Sequence, residues 1–278
     1  MRRRLTGRVI LLTGASRGIG RRVALAIQSH GVRLAIAGRS ADELESLAVE
    51  LRKAGTEVAV LPCDLTDAIS RERLVADVVA RFGSLDVLVN AAGVASFGEF
   101  ATSTEEILRK VMAINFFAAA ELTRLCVPHL VRSWQVGPAE WRPAVLHVVS
   151  VCGRVGIPSL SEHSGSKHAL VGLCEALRCE FERNGIDVLM VLPGVVRTDD
   201  MNRHLLCNEG KIYLDFEGAQ RPESAAATVV RSLVRNRKES ASGFVGWWAW
   251  FGKRAWPRGL RWIMARKAAK FARRTAGA

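Results

Sequence analysis

The alternation of strand-like and helix-like stretches constrains this chain most. RVILLTG is a short apolar run that passes through the glycine-rich turn TGASRGIG into the helix-patterned IGRRVALAIQSHG, which stops at Gly31. VRLAIAG then reads as a second strand, and ADELESLAVELRKAG as an amphipathic helix closed by Gly55. The pattern continues through TEVAVLPC, ISRERLVADVVARFG, LDVLVN, a long helix from about Ser103 to Leu130, AVLHVVS, the helical SKHALVGLCEALRCEFERNG, and IDVLMVLPG. Strands written as continuous apolar runs are buried on both faces, and the helices between them supply the cover. The expected fold class is therefore α/β, a doubly wound parallel sheet (Rossmann fold). It forms a single domain over residues 5–245, with a Trp-rich, basic, amphipathic C-terminal extension over 246–278.

Composition agrees with a packed body. Hydrophobic residues make up 49% of the 278, enough for a sizeable core. No run reaches the 18 or more consecutive apolar residues of a membrane-spanning helix. The N-terminal arginines lead straight into a strand, without the apolar segment and cleavage site of a signal peptide, so the chain reads as cytoplasmic. Six cysteines at 63, 126, 152, 174, 179 and 207 form no CxxC pair and fall in apolar runs, as buried, reduced thiols do. No Cys/His spacing supports a metal site. The net charge of +13 is concentrated at the ends: nine Lys/Arg and no acid follow Ser240, and Arg2, Arg3 and Arg4 open the chain.

TGASRGIG, Thr13 to Gly20, sits after a strand, before a helix and at the head of a βαβ unit. Glycines there let the backbone turn sharply and approach a pyrophosphate, which meets free N–H groups and the positive end of the helix. The spacing Gly14-x-x-x-Gly18-x-Gly20 resembles the short-chain dehydrogenase/reductase family, classical type. The resemblance continues in order along roughly residues 7 to 245. CDLTD is similar to the adenine-contacting segment, with Asp64 and Leu65; VNAAG is similar to the Asn-Asn-Ala-Gly turn, with Asn90, Ala91 in place of the second Asn, and Gly93. Asn115 matches the asparagine of the long fourth helix, and LPGVVRTDD matches the segment around the nicotinamide, giving Pro193, Gly194, Val196 and Thr198. The resemblance implies a nicotinamide cofactor, held also by Ser16, Arg17 and Ile19 of the first turn, and a homodimer or homotetramer.

The second strand ends in Gly38-Arg39-Ser40, where an NAD site carries an acidic residue for the ribose 2′-hydroxyl. Arg39, with Arg17, suits a 2′-phosphate instead, so NADP(H) is expected rather than NAD(H).

The family's serine, tyrosine and lysine act on the carbonyl or hydroxyl that exchanges hydride, and its fourth-helix asparagine supports a proton-relay water. Ser150 stands at the serine position and Lys167 at the lysine, but the tyrosine position holds His163. Residues 163 and 167 share one helix face, and the single tyrosine, Tyr213, lies too far on to substitute. Imidazole titrates near neutrality and serves widely as a general acid or base. Lys167 and an oxidised nicotinamide both disfavour the imidazolium, leaving the neutral ring to polarise a carbonyl as an N–H donor. Three readings stay open: a working oxidoreductase with Ser150, His163, Lys167 and Asn115; an enzyme of altered activity; and an NADP(H)-binding protein without turnover. Of the other histidines, His30, His129 and His168 read as surface or packing residues and His147 as a satisfied core histidine. His204 falls where the family has its substrate lid.

The tail holds Trp247, Trp248, Trp250, Trp256 and Trp262 among a growing density of Lys and Arg. Leu260, Ile263, Met264, Ala268 and Phe271 follow helical spacing, opposite Arg261, Arg266, Lys267 and Lys270. Tryptophan beside cations fits an anionic bilayer surface. A bland alternative is an aromatic cover over the substrate pocket. No nucleic-acid-binding module accompanies the segment. A membrane-bound tail implies a small lipophilic substrate, a ketone or alcohol.

Overall fold

In the computed structural model, which describes residues 2–197, 205–207, 219–243 and 251–276, strand β1 (Val9–Thr13) lies in mid-sheet between β2 (Arg33–Gly38) and β4 (Val87–Asn90). Beyond β2 comes β3 (Val58–Pro62); beyond β4 come β6 (Ala144–Val148), β7 (Asp187–Pro193) and β9 (Glu239–Ser242). Every pairing in this seven-stranded sheet is parallel, so all carboxyl ends emerge on one edge. The chain winds one way from β1 to β3 and the other way from β4 onward. The crevice between the carboxyl ends of β1 and β4 is therefore the topological switch point, where open α/β sheets bind ligands. Two short strands, β5 (Ser96–Phe97) and β8 (Leu206–Cys207), pair separately beside that edge.

Period-two alternation in β1 splits the core. Ile10 and Leu12 face helices α1 (Gly18–Ile27), α2 (Ala41–Lys53) and α7 (Pro222–Val234); Val9 and Leu11 face α3 (Ala68–Phe82) and α5 (Ala118–Val136). Helix α2 shows why these segments are helical. Ser40 caps it by accepting from the Glu43 N–H, Asp42 and Glu43 sit in its first turn, and Arg52 and Lys53 in its last. Its stripe Leu44, Leu47, Ala48, Leu51 is fully buried, each leucine contributing about 1.5–3 kcal/mol. Helix α6 (Ser161–Glu180) packs Leu170, Val171 and Cys174 on β7.

Three expectations need correction. The long helix expected over 103–130 is instead α4 (Glu105–Met112), a π-helical turn at Ala113–Phe117 and α5, running on to Val136. Residues 105–136 are apolar and long enough to cross a membrane by composition, yet Leu122, Cys126 and Leu130 of this stretch are core residues. Helix α6 starts at Ser161, not Ser166, so it includes both His163 and Lys167, as their shared helix face required. Cys179 is exposed: five residues past the buried Cys174, it has rotated to the outer face of α6, whereas Cys63, Cys126 and Cys152 are buried.

Arg3, counted above with the basic N-terminus, is also a core residue. Its guanidinium meets Asp187 at 2.6 Å and the carbonyls of Leu233 and Arg142, and Asp187 receives Arg142 and Lys238 as well. Of the twelve N-terminal and tail charges that periodicity cannot place, this one is fixed by a partner far away in sequence.

Gly172 lies on the exposed face of α6, with nothing within 4 Å of where a Cβ would sit. Gly172→Ala should therefore raise stability by about 0.5–1 kcal/mol, read as a higher midpoint in urea with an unchanged slope.

Candidate active site

Three turns meet at the β1–β4 crevice. Gly14, at φ +65°, lets the turn after β1 lie against the turn after β4: a Cβ there would stand 2.7 Å from the Ala92 backbone. Gly20 lets α1 start on top of Gly14, whose carbonyl oxygen would be 2.1 Å from a Cβ at 20. Thr13 fastens the layers, its Oγ1 accepting from the N–H groups of Ala91 (3.2 Å) and Ala92 (3.4 Å). The N-cap of α1, Arg17, supplies no side-chain cap, and no acidic residue stands in the first turn. That leaves a helix end suited to a pyrophosphate, so the turn of Ser16, Arg17, Gly18 and Ile19 fits the expected dinucleotide.

At the neighbouring strand ends, Arg39 is exposed just past β2, and its charge helps hold Asp64 below the usual carboxylate range. The larger cause of that depression is Thr66, whose N–H and hydroxyl both donate to Asp64. Leu65 is buried beneath. The Asn90 Nδ2 group is directed into the core, toward Thr123 Oγ1 (3.3 Å) and His147 Nδ1 (3.4 Å). At the carboxyl ends of β6 and β7, Ser150 Oγ approaches the Pro193 carbonyl at 3.5 Å, Gly194 N–H donates to the Ser242 carbonyl, and buried Val196 bridges to Gln220. Thr198, His204, Tyr213, Trp247, Trp248 and Trp250 lie outside the described residues, as do the side chains of Lys267, Lys270 and Phe271.

The reacting end is built around Val94. Asn115, carried by the π-helical turn, pairs with both backbone groups of Val94: Oδ1 accepts its N–H at 2.8 Å, and Nδ2 donates to its carbonyl at 2.9 Å. The second amide hydrogen goes to Ser166 Oγ at 3.0 Å. His163 Nδ1 lies 3.0 Å from the same Val94 carbonyl. A carbonyl only accepts, and the Asn115 amide has spent both hydrogens, so the ring proton sits on Nδ1 and Nε2 is left as an acceptor. Burial, and then the Lys167 charge, hold His163 down at about 4 against the Val94 bond that favours protonation. The ring is neutral at pH 7. Neutrality was anticipated from Lys167; the spent N–H was not.

Lys167 is buried, donates to the Val148 carbonyl at 3.2 Å, and is lowered by burial to about 8. Gly93 makes room for it: a Cβ there would stand 3.5 Å from Lys167 Nζ and 3.1 Å from Asn115 Oδ1. Gly153 does the same for the turn carrying Ser150, where a Cβ would be 2.8 Å from the Lys167 carbonyl. Ser150 Oγ accepts from the Cys152 N–H at 3.1 Å. Thus Asn115, His163 and Lys167 converge on residues 93–94, and the Ser150 turn closes on Lys167.

His147 is the counterpart of His163. It is fully buried and driven down to about 3 by burial and then Lys167. Here the Asn90 amide donates to Nδ1, so Nε2 carries the hydrogen, and it is buried without a partner among the described residues. The satisfied core histidine expected is only half satisfied. His30 and His129 are part-exposed, and His168 is exposed with Nδ1 on the Ser164 carbonyl.

Sequence reasoning missed Thr13 and Val94. Thr13 had a signal, since it opens the glycine-rich turn. Val94 acts through its backbone and has none.

The chain matches the family described as short chain dehydrogenase over residues 8–207. It is 30% identical to a "Dehydrogenase/reductase SDR family protein 7-like" of Drosophila melanogaster, over 97% of this chain and 83% of that one. It is 28% identical to an "11-beta-hydroxysteroid dehydrogenase-like 4A" of Arabidopsis thaliana, over 94% and 81%. A short chain dehydrogenase/reductase from Burkholderia phymatum, solved in complex with NAD, superposes with a TM-score of 0.76 at 22% identity, covering 86% of this chain and 89% of that one.

Proposed function

Because the chain belongs to the short chain dehydrogenase family, we propose that it is an NADP(H)-dependent oxidoreductase working between a hydrophobic alcohol and its ketone, with His163 as the proton-transfer group. The convergence of Asn115, His163 and Lys167 on Gly93–Val94, beside the Ser150 turn, carries this reading. When bound, the nicotinamide supplies or accepts hydride. The chain's own residues handle the proton. Ser150 Oγ, only weakly engaged by the Pro193 carbonyl, is free to donate to a substrate oxygen. Neutral His163 presents Nε2 as a base to an alcohol hydroxyl. Lys167, protonated below about pH 8, lies beside Gly93 as a cation for a ribose, and burial, with the Lys167 charge added to it, keeps His163 unprotonated. This protonation pattern favours alcohol oxidation, because reduction needs a proton on Nε2. The same feature supports the second reading, a nucleotide-binding protein without turnover.

Preference for NADP(H) rests on Arg39, exposed where β2 ends in Gly38-Arg39-Ser40 without an acidic residue among the three. Charge-assisted bonds to a 2′-phosphate contribute about 1.5–3 kcal/mol, so Arg39→Ala should weaken NADPH about 10- to 100-fold and leave NADH unchanged. Equal losses for both nucleotides in fluorescence titration would overturn the preference. A lipophilic substrate is supported by the hydroxysteroid name of the Arabidopsis relative and by the aromatic tail. NADP⁺ reduction with a panel of sterol, retinoid and fatty alcohols tests the activity. Turnover lost in His163→Ala sustains the enzyme reading; NADPH binding without turnover on any member favours the binding protein.

A further inference from the structure

The tail is held to the body on one side and bare on the other. Leu260, in helix α8 (Pro257–Ala276), joins Ile157 in packing on Val151 and Val155, in the loop that leads from Ser150 toward α6. Lys253 donates to the Arg154 carbonyl, and Arg154 is itself clamped by Glu175 and Glu239. Leu260, Met264 and Ala268, spaced by four, are the part-buried positions. Helical spacing therefore places the seat correctly, but Ile263, expected with them, is 37% exposed.

The outer side is aromatic and cationic together. Phe251 is 46% exposed, Trp256 61% and Trp262 54%. The Trp256 ring lies over Gly259, where a Cβ would be 2.1 Å from it, and the Arg266 guanidinium stacks on Trp262 at 3.8 Å. Lys253, Arg254, Arg258 and Arg261 are exposed around these rings, and no Asp or Glu occurs after Glu239. Water is a poor solvent for the large rings, and a protein surface with this much cation and no carboxylate is complementary only to an anion-bearing partner. Guanidinium and indole together suit the headgroup layer, where rings sit at the boundary and cations meet phosphate. Phe251 and Ile263 favour a bilayer over a nucleic acid, since a phosphate backbone offers an isoleucine nothing to bury against.

We propose that the outer face of residues 251–266 docks on a bilayer containing anionic lipid, and that the Leu260 contact seats the Ser150 loop against that surface. This placement says where substrate would enter if the oxidoreductase reading holds, but lipid binding itself does not depend on that reading. The full chain is mixed with phosphatidylcholine vesicles, with or without phosphatidylglycerol, and floated through a density gradient. Flotation is expected with the mixed vesicles, reversed by high salt, and little with phosphatidylcholine alone. Trp256→Ala/Trp262→Ala should reduce the bound fraction about tenfold, as should Arg258→Ser/Arg261→Ser, both with unchanged NADPH affinity. No flotation with the mixed vesicles, or flotation undiminished in both double variants, overturns the proposal. So does retention of duplex DNA or RNA by the native chain, lost in these variants, when vesicles are not bound. Failure of every alcohol to turn over would leave flotation intact, which separates the two hypotheses.

Discussion

Ketone reduction by NADPH at pH 7 should rise about 100-fold when His163 is replaced by tyrosine, within the 10²–10⁴ range of general acid catalysis. The native ring, held at about 4, carries the second proton in only about one molecule in 10³ at pH 7. Its one N–H is committed to Val94. A tyrosine hydroxyl keeps its proton at pH 7 and so removes that deficit. Native reduction should instead climb roughly tenfold per unit as pH falls toward 4, while alcohol oxidation, which needs the unprotonated ring, stays level from pH 5 to neutrality. The acid limb is bounded by folding. Below pH 6.5 the unfolded chain binds protons at His147 and His163, whereas the folded chain does not until about 3 and about 4, so stability falls over the same interval. Steady-state rates of both directions, for native and His163→Tyr, decide the matter. A native reduction rate at pH 7 equal to that of His163→Tyr would mean that the proton comes from elsewhere.

What was legible in the sequence follows a physical rule. β1, β2 and β4 are apolar runs because both faces are covered, and the glycine-rich turn after β1 needs a small residue because a Cβ at Gly14 would stand 2.7 Å from the Ala92 backbone of the Asn-Ala-Ala-Gly turn. Steric demands of this sort are written in residue type. The π-helical turn at 113–117 is not, since one extra residue in a helical turn leaves Phe116, Phe117 and Ala118 as apolar as an α-helix would. Its effect is nevertheless specific: it presents Asn115 to both polar groups of Val94. Arg3 is hidden for a different reason. Its partner Asp187 lies at the start of β7, and no local pattern links a terminal arginine to a carboxylate so distant in sequence. Ser150, His163 and Lys167 could be located by interval, but the tautomer of His163 depends on a backbone carbonyl, which residue identity does not report.

Gly20→Ala should weaken NADPH binding by at least about 100-fold, because the pyrophosphate site depends on the placement of the α1 N–H groups. The methyl would arrive 2.1 Å from the Gly14 carbonyl oxygen and 2.7 Å from its carbon, both backbone atoms that no side-chain rotation can move. Gly14 cannot retreat either. It is pressed on the Ala92 backbone, whose N–H is bound to Thr13 Oγ1. The least costly response is for the first turn of α1 to lift by about 1 Å, which breaks the alignment of its N–H groups with a bound anion. Helix α1 also packs Val23 and Ile27 into the core, so the thermal midpoint should fall by several degrees, about 2–4 °C for each kcal/mol lost. Gly172→Ala, with open space at its Cβ, serves as the matched control and should leave NADPH affinity unchanged. Fluorescence titration of the three proteins gives the answer. Native affinity in Gly20→Ala would mean that the nucleotide does not lie on the α1 terminus, and that the glycines close the fold without holding the cofactor.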